Sequence, residues 1–393
     1  MKMRKSNTYV TILKAPLIYV IFFLFISITT NGQITKSFAQ KIAQYDELGS
    51  FSCGLAQVRK GSKFGFIDKA GNEIVPCTFD NVGDFHDHMA RVRKDFKDGY
   101  IDEMGELIIP CKYKQAQDFS EGLAWVNDNG PWRCIDNNGK VVFTLEIMSE
   151  FRSNFKDGLS VITPPEGESS IINAKGEVLE LSGHSWLGTG ISDGLILCAD
   201  TDEESGDTKY VYLDTMGNVV IDCSPQYGDY HPFHNGLAAV LKYGSEAEGG
   251  CKVGYIDKSG KLVIPISLPC SGFDDMPDFP DPFTCQDDMI CSTKQVGNYG
   301  EENFGFLFGF YDRTGKLVVP HKYNKAQDFS GGLAAVLNED GKWGYIDKTG
   351  KVVIPFKYDA VSYEGFQDGY ALVELGDKQG YVDKQGNDTF SMK

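Results

Sequence analysis

The chain has 393 residues, enough to bury a sizeable core as two or three domains or as one repeat array. Its 38 Lys+Arg against 55 Asp+Glu give a formal charge of −17. Nucleic-acid binding is disfavoured, because it needs clustered Lys and Arg to displace counterions and no such cluster follows the N-terminus.

The first segment reads as an export signal. Lys2, Arg4, Lys5 and Lys14 precede the apolar run "APLIYVIFFLFISI", and Thr30 and Gly32 supply small residues before a cut near Gln33. Fourteen apolar residues are short of the roughly 20 that a spanning helix needs. The organisation expected is a signal peptide over 1–32, a lead-in over 33–50 and a repeat array over 51–393. The product would be exported to the periplasm, the cell surface or the medium, with a signal anchor as the alternative and no membrane span in the mature chain. An exported chain with ten cysteines invites disulfides. Cys77 and Cys111, however, sit at one position in successive repeats, where buried thiols pack as small hydrophobes. Cys285 with Cys291 is the more plausible bridge.

From residue 51 onward one unit recurs nine times. Its sharpest mark is Asp or Asn three residues before Gly: Asp68/Gly71, Asp102/Gly105, Asp136/Gly139, Asn173/Gly176, Asp214/Gly217, Asp257/Gly260, Asp312/Gly315, Asp347/Gly350 and Asp383/Gly386. The glycines are spaced 34, 34, 37, 41, 43, 55, 35 and 36, a period of about 35 with insertions. In the clearest unit, "GLAAVL", "KWGYID" and "KVVIP" read as short strands. The intervening "DKTG" is a turn, since Asp caps it and Gly supplies the positive φ. Phe85, Phe119, Phe155, Phe233, Phe329 and Phe366 fill a Phe-x-x-Gly-Leu slot or its variants before the next unit. Gly65, Gly99, Gly254, Gly309, Gly344 and Gly380 interrupt strands, which suggests close approach of a neighbouring ring or backbone. An aromatic packed over that gap between repeats is the preferred reading.

These residues resemble the WG-repeat (KWG-type) family of bacterial tandem β repeats over roughly residues 42–390. The shared pattern is F-x-x-G-L-A-x-V, then K-W-G-Y-I-D-x-x-G-K, then V-I-P-x-K-Y-D, and 329–359 carries it most completely. The units near 155–179 and 191–221 keep mainly the turn and strands. The resemblance implies a repeat protein with no general catalytic activity and no catalytic residues to carry over. The fold class expected is all-β, a tandem array of about nine short antiparallel hairpin or meander repeats. An open, solenoid-like array is preferred slightly to a closed propeller, because nine units exceed the commoner blade counts and no strand-exchange signal joins the termini.

Chemistry, if any, would sit on irregularities in the array. An insertion at about 267–303 alternates Phe273, Phe279 and Phe283 with Asp274, Asp275, Asp278 and Asp281. With Trp343 these are the candidate partner-binding residues. "ADTDEESGDTKY" echoes a calcium loop but misplaces its Gly and lacks the final Glu. His86 and His88 beside Asp84 and Asp87 could share a strand face, although an exposed polar pair is the ordinary reading. "GHSWLG" lacks the second Gly of a nucleophile elbow. No catalytic, cofactor or metal residue is assigned. The function expected is an exported, non-enzymatic scaffold for a protein or cell-envelope partner. A glycan-binding module using Trp343, Trp186 and Trp125 is the alternative, and an envelope hydrolase the third reading.

Overall fold

The structure, a computed structural model, describes residues 34–391 except 146–150, 167–168, 182–183, 185, 203, 224–226, 245–250, 270–283 and 298–303. After a short helix, α1 (Lys36–Ile42), the first repeat forms a meander of β1 (Glu47–Ser52), β2 (Leu55–Lys60), β3 (Lys63–Asp68) and β4 (Glu73–Phe79), hydrogen-bonded in that order. Eight further sheets follow in the same sequential order, over 81–113, 115–144, 151–173, 186–222, 229–269, 285–323, 325–358 and 360–383. The sheets of the fourth and ninth repeats have three strands and the others four.

Local chemistry accounts for each meander. The turn between first and second strands puts two successive residues at positive φ, as in Asp157 (53°) with Gly158 (78°) and Asp368 (53°) with Gly369 (94°). That is the mirror-image hairpin turn that Asp-Gly favours. Between third and fourth strands the recurrent Asp closes its own turn: Asp68 Oδ1 accepts from the amides of Ala70 and Asn72, both at 2.8 Å. The same pair of bonds recurs at all nine positions, with Asn173 serving in the fourth.

The strand glycines are explained by backbone. A Cβ on Gly99 would lie 2.5 Å from the carbonyl oxygen of Ile109 and 2.6 Å from the amide nitrogen of Cys111. Both atoms belong to the last strand of the same sheet, which slips register as it crosses. The close approach therefore comes from the repeat's own fourth strand, and the aromatic packed over a gap between repeats is not what requires Gly99.

The array closes into a ring, which corrects the preference for an open solenoid. Nine apolar clusters fill nine seams, and each is shared by two successive sheets. The ninth joins last to first: Tyr370 and Tyr381 pack with Phe38, Phe51, Ala56 and Val58. The polar contacts of this seam repeat those of internal ones. Tyr381 Oη donates to Gly49 O at 2.6 Å, as Tyr100 Oη does to Gln117 O at 2.6 Å and Tyr212 Oη to His231 O at 2.7 Å. Gly54 N donates to Asp368 Oδ2 at 2.7 Å, as Gly122 N does to Asp87 and Gly332 N to Asp287 at the same distance. The first sheet thus docks on the ninth as though it were a tenth. Among the described residues no strand is exchanged; α1 covers the junction instead, with Ile34 N bonded to Asp383 Oδ2 at 3.1 Å. This side-chain closure leaves no strand-exchange pattern in the sequence. The nine sheets are blades.

The nine described cysteines are free thiols. Cys285 and Cys291 are buried in different seam clusters, so they do not form the expected bridge.

Candidate functional site

The first strand of every blade brings its residues to the inner edge of the ring. Asp84 of blade 2 and Glu364 of blade 9 are close enough to repel one another although blade 1 stands between them, a proximity that the inner edge alone permits. Asp118 of blade 3 also acts on Asp84, whose carboxyl burial first, and then the charge of Glu364, push above its ordinary range. Gln57 Nε2 donates to Asp84 Oδ1 at 3.1 Å, and Arg91 Nε holds Asp118 Oδ1 at 3.2 Å. On the far side of blade 1, Ser50 donates to Glu364 and lies 3.3 Å from Ser362 Oγ. Asp328 of blade 8 accepts from Thr284 Oγ1 at 3.1 Å and, with Glu364, lines an open cavity of about 350 Å3. Together these form an acidic inner rim, with Arg91 bound to Asp118 and His86 also acting on Asp84.

Around that rim the turn acids hold blades together. Asp368 takes both Gly54 N and, at 3.2 Å, Lys69 Nζ of the next blade. Glu121 takes the amides of Asp157 (2.8 Å) and Gly158 (2.7 Å). Asp157 and Asp193 do the same for Gly194 (2.9 Å) and Gly236 (2.6 Å). These staples were missed in the sequence, where the acid reads only as a turn former. The Asp-Gly dipeptide was the available signal, but its bond goes to a backbone amide, which any residue supplies.

Of the sequence candidates, Phe273, Asp274, Asp275, Asp278, Phe279, Asp281 and Phe283 lie outside the described residues. Their described flanks, Pro269 and Thr284, belong to the link from the last strand of blade 6 to the first of blade 7. Trp343 is half-buried, paired across its sheet with Leu337 and Tyr358. Trp125 is 1 % exposed, with Nε1 donating to Ser153 O at 3.2 Å, which removes it from any glycan platform. The side chain of Trp186 lies outside the described residues. His88 Nδ1 meets Glu103 at 2.8 Å while Asp87 staples Gly122, so this His/Asp stretch is divided between separate tasks. Among the described residues no group of three His, Cys, Asp or Glu side chains is arranged to hold a metal.

One partly buried polar pair has a pH signature. Ser292 Oγ lies 2.8 Å from His321 Nε2 in blade 7. Burial, and then the charge of Lys294, hold the imidazole below its ordinary pKa of 6.5. The folded chain therefore binds this proton less readily than the unfolded one, so stability is full above about pH 6.5 and falls as the pH drops through it. Thermal melts of His321→Gln should depend less on pH between about 7 and 5 than those of the parent.

The closed ring of nine sheets and its stapled seams define a nine-bladed β-propeller built from sequence repeats. The chain belongs to the WG-containing repeat family, whose model matches residues 42–64, 64–97, 99–132, 212–244, 254–267, 308–343 and 343–378. No curated protein sequence matches the chain. Among solved structures it is similar to a eukaryotic initiation factor, at 10% identity over 84% of this chain and 94% of that one, with a TM-score of 0.50. It is also similar to the Dos1 propeller (15% identity, 88% and 93% covered, TM-score 0.37). A third similar structure is BamB from Moraxella catarrhalis (10% identity, 77% and 95% covered, TM-score 0.34). These likenesses concern fold alone, and the ring rests on the seam between blades 9 and 1. No helix among the described residues is long and apolar enough to cross a membrane.

Proposed function

We propose that this protein is an exported, non-enzymatic scaffold whose propeller ring presents an acidic inner rim to a basic segment of a protein or cell-envelope partner. The observation that carries the reading is the convergence of Asp84, Asp118, Asp328 and Glu364 from blades 2, 3, 8 and 9 on the inner edge, with Asp84 already pushed up by burial and by Glu364. Like charges gathered on a rigid rim raise the local concentration of a cationic ligand and make its binding salt-dependent. The aromatic and acidic insertion, with Trp343, is a second contact surface of the same scaffold.

The test is calorimetry with a lysine-rich peptide at increasing salt. Asp84→Asn, Asp328→Asn and Glu364→Gln combined should weaken binding about tenfold at low salt and flatten its salt dependence. Unchanged binding in this variant, with loss on trimming residues 270–283, would move the site to the insertion. A peptide that fails to bind the parent at low salt would sink the rim as a recognition surface.

A further inference from the structure

Seven blades, the first to third and the fifth to eighth, cover the outer edge of their third strand with a fourth. There Phe64 faces Phe79, Asp98 faces Tyr113, Val253 faces Leu268, Phe308 faces Tyr323 and Trp343 faces Tyr358. Blade 9 differs. The outer edge of its last strand, Lys378–Asp383, meets one bridge, Val382 with Asp388, a bond from Asp383 N to Asn387 O at 2.9 Å, and two bonds between Thr389 and Tyr381, both 3.1 Å. Past Thr389 the chain turns away, because Asp388 Oδ1 captures the amides of Phe390 (3.1 Å) and Ser391 (2.8 Å). No described strand pairs with Lys378 and Gln379 on that side.

A cavity of about 620 Å3 lies where the rest of a fourth strand would run. One wall is Leu375, Gln379, Thr389 and Phe390, and the other is Ile42 and Tyr45 beside α1. Ile42 and Tyr45 also belong to the core shared by blades 9 and 1, so the cavity is continuous with an interface the ring already uses. Gly380 is the counterpart of Gly344. Where the backbone of Ile354 and Phe356 passes Gly344, the ring of Phe390 fills the space over Gly380, 2.8 Å from where a Cβ would stand. Phe390 holds the place of a strand.

We infer that this slot is a strand-addition site that takes an extended segment of another protein as the outer strand of blade 9. The other blades state the chemistry of the occupant. Ile354 and Tyr358 of blade 8 are both fully buried, four residues apart, while Pro355 between them faces solvent. The ligand is accordingly about five extended residues, an aliphatic one followed four positions later by an aromatic. Its main chain pairs with Gln379 and, displacing Thr389 and Phe390, with Tyr381, in the register that Tyr358 and Ile354 keep with Trp343 and Tyr345, and its side chains enter the cavity. The site lies on the outer edge of the ring and stands or falls independently of the acidic inner rim.

The probe is a fluorescein-labelled peptide, Lys-Val-Val-Ile-Pro-Phe-Lys-Tyr-Asp, titrated with the whole chain by anisotropy. Saturable binding is expected. It should weaken at least about tenfold when the peptide's Ile and Tyr become Ser, and likewise for Leu375→Arg once circular dichroism shows that variant folded. Phe390→Ala, which clears the slot, should bind at least about threefold tighter. A peptide methylated on alternate backbone nitrogens should not bind; equal binding would overturn strand pairing. So would absence of saturable binding to both the parent and Phe390→Ala. Self-association of the chain that the peptide competes away would show that the occupant is a second copy, and would overturn the partner assignment.

Discussion

Asp98→Ala should lower stability by about 3 kcal/mol, read as a shift of the urea midpoint with unchanged slope. Asp98 occupies the seat that Trp343 fills in blade 8, yet it is 0 % exposed. Arg93 grips it through Nε at 2.7 Å and Nη2 at 2.8 Å, Arg91 Nη1 stands at 3.8 Å, and Ala116 N of the next blade donates at 3.0 Å. Removing one partner of a buried pair costs about 3–5 kcal/mol, and the lower end applies because Arg93 keeps 38 % of its side chain in solvent. Combining Asp98→Trp with Arg93→Leu recreates the Leu337–Trp343 pairing of blade 8. That double variant should recover most of the loss, leaving about 1 kcal/mol for the amide of Ala116. A double variant no better than Asp98→Ala would show that the charge itself is required at this seam.

Phe38→Ala should cost about 3–5 kcal/mol and, unlike a comparable truncation elsewhere, should open the ring. Phe38 is 2 % exposed, stacks on Tyr370 at 5.7 Å between centroids and 11° between planes, and lies 5.8 Å from Tyr381. Phe51 reaches both tyrosines at 5.1 Å, so all four rings form one cluster across the seam. The helix that carries Phe38 has seven residues and a Thr35 cap, too short to persist without this packing. Spin labels at Lys60 and Asp377, in the hairpins of blades 1 and 9, should give one narrow distance in the parent and a broad distribution in Phe38→Ala. Phe119→Ala, equally buried in the seam between blades 2 and 3, should lose stability but keep the narrow distance. A narrow distance in Phe38→Ala would show that Phe51, Tyr370 and Tyr381 close the ring unaided.

The turns were legible because their chemistry is local. Asp68 and its eight counterparts bond amides two and four residues on, so residue type and spacing carry the whole signal. The strand glycines were half legible: Gly99 and Gly344 announced a close approach, but the atoms that approach are main chain, which has no residue identity. Closure was not legible. It depends on α1, which lies outside the repeat, and on rings whose partners are more than three hundred residues away. The acidic rim was hidden for a related reason. Asp84 is an ordinary first-strand residue, and Glu364 an ordinary residue of the turn after one, until the ring brings blades 2 and 9 round to the same edge. Trp125 shows the converse, a residue conspicuous in the sequence that the fold uses only as core.

Every blade is built from one uninterrupted stretch of chain, and this sets the order in which the molecule can be made. In a ring closed by strand exchange, one blade waits for both ends of the polypeptide before it exists. Here blade 1 is complete once residue 79 has been synthesised, and each successor has a finished neighbour to dock on as it emerges. A single step waits for the ninth blade, which must find blade 1 and α1. Until then the faces of Phe38 and Phe51 stay uncovered, so the interval between the first blade and the last is when a nascent chain is most exposed to wrong partners.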